Sequence, residues 1–192
     1  MLSSSLIVAA YEAGDFPMAV EDGEIRWYSP DPRGILPLDT FHVPRRLLRV
    51  IRSRRFEVTV DRAFRGVMEA CAADREEGTW INGEILDSYC ALHNRRLAHS
   101  VEVWTGTELA GGLYGVALKG AFFGESMFHR VSDASKIALW ALAGRLRERG
   151  FLLLDIQWLT PFLESCGAIE IPRDDYLERL KDALRVDARF DD

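Results

Sequence analysis

A strand, a helix and a second strand in close succession constrain this chain more than any other feature. Ser132 or Asp133 is placed to cap a helix that runs to Arg149 through Ile137, Leu139, Trp140, Leu142 and Leu146, and Gly150 stops it. The short apolar run that begins at Phe151 and ends in Asp155-Ile156-Gln157 has the composition of a strand buried on both faces. Upstream, Gly120 turns the chain into a strand that carries FFGESMF, Phe122 to Phe128. Two strands joined through a helix of this length are expected to lie parallel, with a right-handed crossover. Ser100 to Trp104 and Leu109 to Leu118, joined by a turn at Thr105–Glu108, read as an antiparallel hairpin. A hairpin followed by strand–helix–strand gives an α/β fold with a sheet of mixed direction.

The other elements are expected around that sheet. Leu6 to Ala13 reads as a short helix ended by Gly14, Phe16-Pro17-Met18 as a turn, and Glu24 to Tyr28 as a short strand. Ser29 to Gly34 contains two prolines, which fix φ and push the residues before them to extended backbone. It reads as a linker, with a loop packed on a neighbouring site as the alternative. Pro44 suits the first position of a helix reaching Arg55. Glu57 to Val60 alternates as a strand, and Asp61 can cap a helix to about Ala73 with Phe64, Val67, Met68 and Cys71 inward. A charged turn at Asp74–Ile81 precedes a helix from Asn82 or Glu84 to about Arg95. Arg173 to Arg185 forms a last amphipathic helix, after which Val186 to Asp192 is expected to fray.

Composition narrows the function classes. At 192 residues the chain suits one large domain, or a domain with a small addition. A net charge of −6 does not advertise nucleic-acid binding by the molecule as a whole. Cys71, Cys90 and Cys166 are odd in number and far apart, which gives no disulfide framework and fits a reducing compartment. His42, His93, His99 and His129 show no ligand spacing, so no metal is expected. The apolar run near the start is too short to span a membrane and poorly shaped as a signal peptide, so a soluble cytoplasmic protein is expected. Gly111, Gly112 and Gly115 spell neither a dinucleotide fingerprint nor a P-loop; they leave room for a close ligand or a bulge.

Three places carry chemistry. Glu125 stands alone between a glycine and a serine in FFGESMF. An acid in so apolar a run either faces a pocket that receives a cation or points into water from a strand end. Asp155 and Gln157 are two apart on one strand and are expected to project together. Pro44 to Arg55 holds six arginines and no acid, with Arg45, Arg49 and Arg52 on one helical face. A phosphate-binding face is favoured there over a solvated helix paired with Glu76 and Glu77. Trp80 and Tyr89 are ordinary core residues unless the fold brings them beside Glu125.

With these pieces in place the chain resembles the leucyl/phenylalanyl-tRNA–protein transferases. The likeness runs from Tyr11 to Leu177 and rests on WYSPDPRG (Trp27–Gly34), ADREEGTWI (Ala73–Ile81), HSVEVW (His99–Trp104), LAGGLYGV (Leu109–Val116), FFGESMF, SDASK (Ser132–Lys136), LLDIQ and GAIEIPRDDYL (Gly167–Leu177). It implies a GNAT-like acyltransferase domain at 32–192 behind a small N-terminal subdomain at 1–31. The implied activity moves Leu or Phe, also Met, from aminoacyl-tRNA to the N-terminal Arg or Lys of a protein, marking it for degradation. No cofactor is implied, neither metal nor CoA, and a monomer is expected. The resemblance assigns Asp155, Gln157 and Glu125 to catalysis. It places Trp80, Tyr89, Leu113 and Phe122 around the donor side chain, with Tyr11 and Met18 beside them, and gives tRNA contacts to Arg45, Arg49 and Arg52. Asp155 would orient Gln157, and Glu125 would hold the donor's ammonium or the incoming cationic end. The chain departs from the family where Met18 replaces a Trp, and at Trp158–Phe162, where an Asn and a His are usual. Its N-terminal part is shorter than in longer members. Two other readings stay open: a different acyltransferase on the same fold, CoA-dependent or building peptidoglycan cross-bridges, and a tRNA-binding protein without catalysis.

Overall fold

The structure is a computed structural model that describes residues 1–73 and 78–191. Its centre is a seven-stranded sheet in the order β4-β5-β6-β7-β8-β3-β9. Here β4 is Glu57–Val60, β5 Ala98–Thr105, β6 Glu108–Leu118, β7 Ala121–His129, β8 Leu153–Gln157, β3 Arg33–Ile35 and β9 Ile169–Ile171. Every neighbouring pair is antiparallel except β7 and β8, which run parallel and are joined through α5 (Ala134–Glu148). This is the mixed sheet expected from the strand–helix–strand step, and its architecture is GNAT-like.

Helices cover both faces. On one face α1 (Ser4–Ala13), α3 (Phe64–Ala73), α4 (Gly83–Asn94) and α7 (Arg173–Ala183) share a core built on Ile7, Met68, Ile85, Leu92 and Leu180. On the other, α2 (Arg45–Arg52), α5 and α6 (Pro161–Ser165) bury Leu47, Ile137, Leu142, Leu146 and Leu163. The ends of these helices follow local chemistry. Ser3 accepts the Leu6 N–H, Gly14 closes α1 at φ 91°, Asn82 accepts the Ile85 N–H, and Thr160 accepts the Leu163 N–H.

Several segments differ from their sequence reading. Phe16-Pro17-Met18 is not a turn but most of β1 (Phe16–Ala19), paired with β2 (Ile25–Tyr28). A two-stranded ribbon is all edge, where a proline is tolerated. Arg33 and Gly34 are not linker but lie in β3, between β8 and β9. Asp61 does not cap α3: it sits at φ 58° and its carboxylate faces β5, accepting the Ser100 N–H at 2.9 Å and pairing with His99 at 2.7 Å. The free N–H of Ala63 at the start of α3 is taken instead by Glu102 of β5. Asp133 precedes α5 at φ 71° without capping it, its carboxylate turned to Lys136. The tail is folded down: Phe190 is 2% exposed, packs on Phe122 and His99, and its carbonyl accepts from Arg145 Nε at 2.8 Å. One aromatic side chain there covers apolar surface on the α5 side of the sheet. Of the charged turn expected at Asp74–Ile81, residues 74–77, and with them the pairing of arginines to Glu76 and Glu77, lie outside the described residues.

Candidate active site

The parallel pairing of β7 and β8 ends early. Its register runs Ala121↔Leu153, Phe122↔Leu154, Phe123↔Asp155, and there it stops while β7 continues to His129. Beyond that point the strands part, and a cavity of about 530 Å³ opens between them. One wall is Gly124 to Met127 of β7, the other Leu154, Ile156 and Gln157 of β8. Leu113 of β6 and Leu139 and Leu142 of α5 form apolar floor, and Phe16, Met18, Trp80, Trp158 and Phe162 add further wall.

Glu125 is set by a bulge. Tyr114 pairs with Ser126 but Gly115 with Gly124, so Glu125 is the extra residue of β7. A β-carbon at position 115 would lie 2.3 Å from the Phe123 carbonyl oxygen, so only glycine permits this approach. The bulge answers the choice left by the glycines of β6.

The half-buried Glu125 carboxylate is held from three sides. Tyr11 of α1 donates to Oε1 at 2.6 Å, and Gln157 Nε2 donates to the same oxygen at 3.2 Å. Tyr89 of α4 lies 3.4 Å from Oε2 and within hydrogen-bond reach of the Tyr11 hydroxyl. Removal from water pushes the Glu125 carboxyl up to about 8. The Tyr11 hydrogen bond opposes that rise, the Asp155 charge adds to it, and Tyr89 and Arg33 oppose it. Burial, with the charge of Glu125 behind it, likewise drives the Tyr11 and Tyr89 hydroxyls well above the usual tyrosine range, so both stay protonated donors.

Asp155 and Gln157 do different things. Asp155 has no exposed surface and does not line the cavity. Its carboxylate meets Arg33 at Nε (3.0 Å) and Nη2 (2.6 Å) and accepts from Tyr176 at 2.8 Å. Arg33, also fully buried, passes its third contact to the Gly14 carbonyl and lies over the Phe16 and Tyr176 rings. Asp155 reaches Gln157 through the main chain, accepting its N–H at 2.9 Å. Gln157 stands at φ 58° inside a three-residue turn closed by Trp158 N–H to the Ile156 carbonyl at 2.7 Å. That backbone is rare for any residue but glycine and stores strain. It lets Gln157 leave the strand's alternation, so its amide reaches Glu125 while Asp155 points to Arg33. With Nε2 committed to Glu125, Gln157 Oε1 is the acceptor left to the cavity.

The residues singled out in the sequence are therefore distributed. Glu125, Gln157, Trp80, Leu113 and Met18 line the cavity. Tyr11 and Tyr89 stand behind Glu125 rather than on the wall. Phe122 is not brought there: it is fully buried deeper in the α5-side core and packs on Phe190 at a ring separation of 5.2 Å. Of the positions expected to depart from the resemblance, Met18, Trp158, Thr160 and Phe162 line the cavity, whereas Leu159 and Pro161 do not. Arg45, Arg49 and Arg52 are exposed on α2 and make no ion pair among the described residues. This helix packs on α5, whose Leu139 and Leu142 reach the cavity, so the arginine face stands one helix away. Sequence reading missed Arg33, Tyr176 and Trp158. For Arg33 a signal existed: an Asp inside LLLDI demands a buried cation from elsewhere in the chain.

Comparison with known proteins gives one answer along the chain. The family model of the leucyl/phenylalanyl-tRNA protein transferase N-terminal domain matches residues 1–31, and that of the transferase itself residues 35–181. The chain is 54% identical over 186 residues to the leucyl/phenylalanyl-tRNA–protein transferase of Salinibacter ruber, covering 96% of this chain and 81% of that protein. It is 53% identical over 190 residues to that of Rubrobacter xylanophilus, covering 98% of each. Among solved structures it is similar in fold to the C-terminal domain of a putative lysylphosphatidylglycerol synthetase from Agrobacterium fabrum, with a TM-score of 0.52, 13% identity, and 94% and 69% of the two chains covered. A conserved protein from Bacteroides thetaiotaomicron gives 0.52 at 11% identity, covering 93% and 71%. Matched over residues 1–31 and 35–181 by the family's two models, and identical to these relatives at more than half of the aligned positions, the chain belongs to the leucyl/phenylalanyl-tRNA–protein transferase family.

Proposed function

We propose that the cavity between β7 and β8 receives the leucyl, phenylalanyl or methionyl group of a charged tRNA and presents its ester to a protein N-terminus held at Glu125 and Gln157. The chain is an aminoacyltransferase that uses aminoacyl-tRNA as donor. The observation that carries the finer reading is an apolar cavity that ends on one carboxylate and one amide. Its walls suit side chains unbranched at Cβ; a β-branched donor clashes, with discrimination of about 1–3 kcal/mol for one methylene. An ammonium beside Glu125 favours its ionised form, which supplies the opposite charge, and Gln157 Oε1 accepts one of the ammonium's N–H groups. Asp155 serves as a positioning residue, fixing the strained backbone of Gln157. Much of the rate then comes from holding amine and ester in line.

The preferred acceptor is a protein that begins with Arg or Lys. Residues 1–31 act as a subdomain whose Tyr11, Phe16 and Met18 complete the site. Arg45, Arg49 and Arg52 hold phosphates of the acceptor arm, a sequence-tolerant interaction. The enzyme works as a monomer in the cytoplasm, where charged tRNA and three free thiols both persist. Among the described residues, no helix is long and apolar enough to cross a membrane. The test is transfer from tRNA charged with Leu, Phe, Met or Ile to peptides starting with Arg or Asp. Transfer of the first three to the Arg peptide, with Ile poor, is expected; no transfer with pure components overturns the reading.

A further inference from the structure

The geometry points to Glu125 as the base that takes the proton from the attacking amine, a step beyond docking it. This rests on the reading of the cavity just given. Among the described residues lining the cavity, Glu125 is the one carboxyl group. It is joined to Gln157 Nε2 at 3.2 Å, so an amine held by Gln157 Oε1 is one amide away from a carboxylate oxygen. The groups facing it are Tyr11 from α1, Tyr89 from α4, Arg33 from β3, and Asp155 and Gln157 from β8. Arg33 is occupied by Asp155, and both tyrosines are donors, so none of these competes for the proton.

The reaction requires such a group. A protein N-terminus arrives as an ammonium, which has no lone pair. One N–H proton passes through a single water to the Glu125 carboxylate, because the Gln157 amide lies between them, and the freed lone pair attacks the ester carbon. The C–N bond forms as the C–O bond to the tRNA's terminal ribose breaks, and the departing ribose oxygen takes a second N–H proton. Glu125 then releases its proton to water. The sum is an amide, a ribose hydroxyl and one free proton. An amide oxygen is too weak a base for the first step, whereas a carboxyl moved to about 8 matches an α-amino group of about 7.7–8.0. Gln157 is thereby a positioning residue for the amine, and the carboxylate does the proton transfer.

The experiment compares two acceptors in single-turnover transfer from Phe-tRNA: an Arg-initiated peptide, and the same peptide with its α-amine replaced by an aminooxy group, which is unprotonated at neutral pH. With the ordinary peptide Glu125→Gln is expected to slow transfer about 10²-fold or more, the usual scale of general base catalysis. With the aminooxy peptide the defect is expected to shrink below about tenfold, because no proton has to leave before attack. For the unaltered enzyme, transfer to the aminooxy peptide is expected to stay flat from about pH 6 to 9 while transfer to the ordinary peptide rises. Equal defects with both acceptors, or a pH rise that persists with the aminooxy peptide, overturn the inference and leave Glu125 as a binding or structural group. Absence of transfer to either acceptor by the unaltered enzyme overturns the underlying reading instead.

Discussion

Asp155 and Arg33 form a buried ion pair with both partners fully enclosed, and Tyr176 and the Gln157 N–H donate to the same carboxylate. Removing one partner strands the other charge, which costs about 3–5 kcal/mol. Asp155→Ala is therefore expected to lower stability by that order in urea titrations, and its loss of transfer will in large part reflect unfolding. Gln157→Ala removes one hydrogen bond to Glu125 and is expected to leave the urea midpoint nearly unchanged while transfer falls. The two variants separate support from chemistry. Glu125 gives stability a pH dependence of known sign. Its folded value, about 8, lies above its ordinary value of 4.5, so the folded state binds the proton more tightly. The stabilisation is full below the ordinary value and is lost as pH rises through about 8. Chemical denaturation at about pH 5 and pH 9 is expected to show that decline in the unaltered protein and much less of it in Glu125→Gln. The apolar setting of Glu125 left two readings open, a pocket or a strand end in water, and the residue lines the cavity. The division of labour between 155 and 157 was not legible, because strand alternation predicts a shared face and the positive φ of Gln157 breaks that rule.

At the scale of elements, α2 carries its arginines to solvent while Leu47 anchors it. Reversing Arg45, Arg49 and Arg52 to Glu is expected to weaken tRNA binding and to lower the salt slope of log K by about one unit for each phosphate no longer neutralised. An affinity that does not change over a salt series would show that this face binds no nucleic acid. The longer elements were legible because hydrophobic period and caps act within one segment: the hairpin, α4, α5 and β8 all fall where expected. The pieces that escaped are short. β3 and β9 are three residues each, and α6 is five. β3 and β9 are held by strands far off in sequence, and no local preference marks them; α6 carries a local start signal in Thr160 and Pro161 but is too short for a hydrophobic period to show.

For the whole molecule, two cores lie on either side of one sheet, and each is closed by a late segment. On the face of α5 that segment is the tail. Phe190 joins β7 through Phe122, β5 through His99, and α5 through Arg145. Phe190→Ala is expected to cost about 3–5 kcal/mol, visible as a fall in Tm, with the cavity on the far end of β7 retained and specific transfer little changed at low temperature. The sheet order was legible only in its middle, where the hairpin and the crossover helix dictate neighbours. The insertion of β3 between β8 and β9 joins positions more than a hundred residues apart, and no pattern in the chain announces it.

The cluster around Glu125 draws Tyr11, Arg33, Tyr89, Asp155, Gln157 and Tyr176 from elements scattered over the whole length of the chain. During synthesis on a ribosome, no emerging piece holds a working centre until α7 has cleared the exit tunnel and docked. A chain stopped at residue 150 is expected to be inert even where its hairpin has formed. The cluster is thus complete only once Tyr176, more than 160 residues after Tyr11, has been made and has reached Asp155.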